Sequence, residues 1–193
     1  MSVFWKATSA ITALVACGLF VAPAHAALMR YTITGVGSGS LGTTPFTDAD
    51  FVITTEADTD DVFAFAHGFV VLSPSMRVFV AGIGSGDFAN PTRTVSNQEF
   101  SRSGFGDDAL HRGVTFVNNE ILTSYDLRTP IGPVAGLLTF NADASFPTTA
   151  GDFSLTEALD GTFTAAAVPE PPSAALVLSA CVFGCLALWR ARS

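Results

Sequence analysis

The sequence predicts an all-β protein: an antiparallel, β-sandwich-like passenger flanked by an N-terminal signal helix and a C-terminal transmembrane helix. Three observations lead there. Stretches such as "MRYTIT" alternate apolar and polar side chains with the period of two that a half-buried strand requires. Turn-forming residues recur about every ten positions, the spacing of short strands in a sandwich. The apolar excess, 49% of 193 residues against 13% charged, gathers at the two ends, whereas a soluble domain averages about a quarter charged.

The front end, residues 1–26, has the three parts of a secretory signal peptide. Lys6 is a positive n-region, an apolar h-region follows, and Ala24-His25-Ala26 forms the small-x-small site that a signal peptidase reads at Ala24 and Ala26. The mature chain is expected to begin at Ala27. An uncleaved anchor is the plain alternative. "LVAC", ending at Cys17, resembles a lipoprotein box, but the run beyond it stays apolar where a lipoprotein turns polar.

Residues 27–166 are expected to form the passenger, long enough for one domain with its own core. "MRYTITGV" opens it as a strand, "GSGSLGTTP" breaks it, and "FTDADFVITTEA" resumes. "DVFAFAHGFVVL" and "MRVFVAGIG" follow across "SPS". Further strands are expected at "RTVSNQEF", "GVTFVNN", "ILTSYDL", "AGLLTFNAD", "DFSLTEA" and "GTFTAAAV". No long helical stripe interrupts them; "DDALHRGV" is room for one turn. The phenylalanines read as sheet core. "AAAVPEPP" reads as the linker to the tail.

The tail, residues 167–193, opens on Val168, Pro169, Glu170 and Pro171. Prolines cannot donate to a ladder and push their predecessors into extended backbone, so this stretch is an exposed, hydrogen-bond-free strand. A transmembrane helix is expected at 172–189. The uncharged stretch 173–189 spans about 25 Å at about 1.5 Å per residue, slightly under a bilayer core. Arg190 and Arg192 stop it on the cytoplasmic side. "VPEPP", a short apolar helix and a basic end together resemble the PEP-CTERM sorting signal of exported bacterial proteins. The resemblance covers about the last 26 residues and departs from the pattern only in a thin basic end. It implies recognition by an exosortase, a membrane protease with a cysteine nucleophile. The enzyme would cleave the tail and pass the protein to the cell surface or an exopolysaccharide matrix. A plain C-terminal anchor is the alternative.

Composition excludes several functions for the passenger. Residues 27–168 hold six arginines against sixteen Asp and Glu, a formal charge of −10, so no basic stripe exists to track nucleic acid. Cys17, Cys181 and Cys185 all lie in the terminal apolar runs, which rules out a disulfide framework or thiolate site in the passenger. Gly-x-Gly pairs in "GVGSGSLG" and "GIGSGD" lack a following helix or lysine and read as turns, and no serine sits in a nucleophile elbow.

Two weak constellations remain. Asp107, Asp108 and His111 could converge on a metal. Asp48, Asp50, Glu56, Asp58, Asp60 and Asp61 could supply calcium with oxygens, though without the spacing of an EF-hand loop. His67 is the other passenger histidine. No cofactor and no catalytic residue is assigned, and an enzyme is not expected. The second functional reading is a carbohydrate-binding module, calcium-assisted in one version. It is weakened by having only Tyr31 and Tyr125 as non-Phe aromatics.

Overall fold

The alternating stretches become the long central arms of a single antiparallel sheet. The structure, a computed structural model, describes residues 28–169 with the exception of Leu110. The expected signal peptide and transmembrane helix fall outside the described residues. Among those described, no helix is long and apolar enough to cross a membrane. The body, Ala26–Val168, forms one unit.

Its strands are β1 (Leu28–Leu41), β2 (Thr44–Asp58), β3 (Phe63–Phe65), β4 (Gly68–Ser73), β5 (Met76–Val80), β6 (Gly84–Asp87), β7 (Thr92–Asn97), β8 (Arg102–Asp107), β9 (Arg112–Asn118), β10 (Ile131–Phe140) and β11 (Phe153–Ala167). Their order across the sheet is β3-β4-β7-β8-β9-β10-β11-β1-β2-β5-β6, and every pairing is antiparallel. The fold is therefore all-β, as the periodicity predicts.

Connection lengths dictate the curl of this sheet. β4 and β5 lie eight strands apart, about 38 Å in a flat sheet at about 4.8 Å per strand. Only Pro74 and Ser75 link them, and three Cα–Cα steps reach at most about 11 Å. The sheet must bend until its two ends meet. The Thr55 hydroxyl of β2 donates to Ser75 O at 2.6 Å, and that of Thr92 in β7 donates to Ser73 O at 3.1 Å, which fixes the corner.

The curl encloses one apolar core. Met29, Tyr31 and Ile33 of β1, Phe51 and Ile53 of β2, and Phe163 of β11 are buried on its inner face, with Phe105 of β8 and Val71 of β4 in the same cluster. Burying a side chain of this size contributes about 1.5–3 kcal/mol. The segment between β9 and β10 bridges the two arms. Ser96 Oγ of β7 donates to Tyr125 O, and Tyr31 Oη of β1 donates to Leu127 O at 2.6 Å.

Four local expectations differ from the structure. "GSGSLG" does not break β1; the strand runs through it with register shifts at Gly35/Gly37 and Ser38/Gly39. Glycine permits this because a Cβ on Gly39 would lie 2.0 Å from Ser154 O. "DVFAFAHGFVVL" is divided by a turn at Ala66 and His67, where Gly68 takes φ +153°. "ILTSYDL" is a 3₁₀ turn, Glu120–Ser124, capped by Asn119 Oδ1 accepting from Ile121 N. Its Leu122, Tyr125 and Leu127 are buried by crossing the core opening rather than by strand pairing. Finally, "DFSLTEA" and "GTFTAAAV" are one strand, β11. Ala165, Ala166 and Ala167 pair with β1 instead of forming a linker.

Candidate functional site

The acidic run that suggested calcium is drawn out along one strand. Asp48, Asp50, Glu56 and Asp58 all belong to β2, and Asp48 and Asp58 are about 33 Å apart at about 3.3 Å per residue. Glu56 Oε1 is held by Arg30. Asp58 Oδ1 caps the following 3₁₀ turn, Thr59–Asp61, by accepting from Asp60 N, and Asp60 and Asp61 form its first turn.

The second constellation sits at the turn between β8 and β9. Asp107 is fully buried at the end of β8 and accepts from Asn90 Nδ2 at 2.8 Å. Asp108 pairs with Arg93 at 3.2 Å. His111 sits in the turn between β8 and β9 with φ +51°. Among the described residues no three His, Cys, Asp or Glu side chains are grouped to hold a metal.

His67 lies beside a shallow concavity of about 420 Å³ shared with Phe65, Phe69 and Gln98, and its Nδ1 is 2.5 Å from Glu99 Oε2. The serines of "GSGSLG" belong to the ladder: Ser38 Oγ accepts from Asp48 N, and Ser40 Oγ pairs with Ser154 Oγ.

Tyr31 and Tyr125 are not a surface platform. Both are core residues packed on Phe163, with ring centroids 6.4 and 5.8 Å from it. Burial is the main cause that pushes both phenols above their ordinary range. Asp126 adds to this for Tyr31, and Tyr31 and then Asp126 add for Tyr125.

Of the sorting residues, Val168 and Pro169 are described; Glu170, Pro171, Ala24, Ala26, Arg190 and Arg192 lie outside the described residues. Val168 makes the last ladder bond of the body, its N–H donating to Leu28 O at 2.8 Å. Leu28, the first described residue, and Val168, the last residue of the body, are therefore hydrogen-bonded neighbours.

A concavity of about 680 Å³ on the body was not foreseen from the sequence. It lies on the outer face of β1, β2, β5 and β6. One register row runs Thr32, Thr54, Arg77, Asp87; the adjacent row pairs Arg30 with Glu56. Each arginine is forked onto its neighbour. Arg77 Nε donates to Asp87 Oδ1 at 2.7 Å and Nη2 to Oδ2 at 3.0 Å, while Arg30 Nε reaches Glu56 Oε1 at 2.8 Å. The Arg77 hydrogen bond holds the Asp87 carboxyl below the usual carboxylate range and raises the guanidinium in turn. One row further along β5, Phe79 points out on the same face and is 47% exposed. The sequence signal was present: Arg30/Thr32, Thr54/Glu56 and Arg77/Phe79 are the outward positions of alternating strands.

No family model matches the chain, and neither a curated protein nor a solved structure is similar to it.

Proposed function

We propose that the chain is an exported, non-catalytic protein of the cell surface or exopolysaccharide matrix, sorted through a PEP-CTERM tail. In this reading a signal peptidase cuts after Ala26, the helix at 172–189 holds the tail in the inner membrane, and an exosortase acts at Pro169, Glu170 and Pro171. The body between is a β-sandwich-like passenger that needs no cofactor.

The observation that supports the reading is how near the β-ladder comes to the proline triplet. Among the described residues, the backbone hydrogen bond nearest the tail, Val168 N to Leu28 O, falls one residue before the proline triplet. Ala165, Ala166 and Ala167 are tied into β11, so the ladder of the described residues runs up to the start of the triplet. Ala26 lies two residues before the other partner of that bond.

The test is the intact mass of the protein recovered from its native envelope and from the medium. Loss of the segment beyond the triplet is expected. A mass that runs to Ser193 in both fractions makes the tail a simple anchor and refutes the sorting reading.

A further inference from the structure

We infer that the outer face of β1, β2, β5 and β6 is a binding site for a neutral polysaccharide, with Phe79 as the ring platform and the Arg77–Asp87 and Arg30–Glu56 forks as hydroxyl-bonding edges. The site belongs to the body and stands however the tail is processed.

Charge argues for a neutral ligand. The passenger carries a formal −10, yet here both cations are neutralised by a carboxylate at 2.7 Å. A polyanion meets no free positive charge in these rows, and the surrounding field repels it. Uncharged hydroxyls suit the arrangement. An arginine fork has five N–H donors and a carboxylate about four lone-pair sites, and each pair spends only part of that capacity on itself. Thr32 and Thr54 add hydroxyls that both donate and accept between the forks.

Size and shape fit as well. From β1 to β6 the row spans three strand spacings, about 14 Å, and the two rows are about 7 Å apart along the strands. That footprint takes two or three sugar rings, and about 680 Å³ is within the usual range for ligand clefts, about 300–1,000 Å³. Phe79, one row beyond the residues that line this concavity, supplies the apolar surface that the C–H face of a ring needs. It points out of β5, away from the core, at 47% exposure.

Stability does not account for the pairs. Arg30, Glu56, Arg77 and Asp87 have side chains 37–62% exposed, and exposed ion pairs contribute about 0–1 kcal/mol. Substituting them or Phe79 therefore leaves the fold intact, which makes the test clean.

The full chain, held in a detergent without a sugar headgroup, is titrated calorimetrically with dextran, galactomannan and mixed-linkage β-glucan, and with alginate as the polyanion. Saturable binding to at least one neutral polymer is expected. Phe79→Ala and Arg77→Gln should each weaken it about tenfold while the melting temperature stays within about 2 °C of the parent. Three outcomes overturn the inference: no binding to any neutral polymer, binding confined to alginate, or undiminished binding by both variants.

Discussion

Two tyrosines one contact apart should respond in opposite directions to loss of the same oxygen atom. Tyr31 Oη donates to Leu127 O at 2.6 Å, and both residues have 0% exposure. Tyr31→Phe keeps the ring on Phe163 but strands that carbonyl, at a cost of about 1–3 kcal/mol. The carbonyl belongs to a leucine held at φ +64°, a conformation unfavourable by about 1–2 kcal/mol for a residue with a Cβ, so the upper half of the range applies. Tyr125 Oη is buried with no hydrogen-bond partner among the described residues. Tyr125→Phe removes a desolvated hydroxyl that nothing repays, and should be neutral or stabilising by up to about 1 kcal/mol. The predicted gap between the variants is about 2–4 kcal/mol. For a body of this length a kilocalorie moves the midpoint by about 3 °C, so thermal melts should separate the two by about 6–12 °C. If Tyr125→Phe falls as far as Tyr31→Phe, the assignment of one satisfied and one unsatisfied phenol is wrong.

Alkaline stability should follow from the same pair. Both phenols titrate higher when folded than when unfolded, so the protonated forms they favour are fully present below the free-tyrosine value near 10. Stability is then lost progressively as pH rises above that value. Urea melts between pH 8 and 11.5 should show a decline that is shallower in the Tyr31→Phe/Tyr125→Phe double variant; equal slopes would exclude the tyrosines as its cause. Glycine positions offer a separate check. Gly39→Ala drives a methyl against Ser154 O and should cost about 3 kcal/mol. Gly82→Ala meets nothing within 4 Å and pays only for its φ of +77°, about 1 kcal/mol. Equal urea midpoints for the two would remove the close approach at Gly39 as the reason β1 carries glycine.

Strand positions were legible wherever one face is apolar and the other polar. Tyr31, Ile33, Phe51 and Ile53 announce β1 and β2 by alternation, and the structure buries all four. Glycine-rich strands were illegible. In "RSGFGD" Gly104 and Gly106 hide the period, yet the stretch is the buried strand β8, where a Cβ on Gly104 would lie 2.2 Å from Thr115 O. "ILTSYDL" failed for the opposite reason. Its Leu122, Tyr125 and Leu127 are buried by crossing the core opening, and nothing local tells that from strand burial. The polar face was hidden because it exists only after register is set: Arg77 and Asp87 are ten residues apart in the chain and become opposite only through the β5–β6 pairing. The acids from Asp48 to Asp58 had proximity in sequence, which an extended strand converts into distance.

The position of β11 has a temporal consequence. It lies between β10 and β1 near the middle of the sheet, and its last residues pair with the first: Met29 opposite Ala167, Tyr31 opposite Ala165. A chain that emerges from a membrane pore N-terminus first can close the β1–β2 hairpin early. It cannot complete the central seam until residue 167 is out, and contacts so distant in sequence form slowly. Until then β1 has an open edge and Phe163 is missing from the core. The last residue of the seam is followed almost at once by Pro169, Glu170 and Pro171. For a chain delivered in that direction, final folding and arrival of the proline triplet are one event in time.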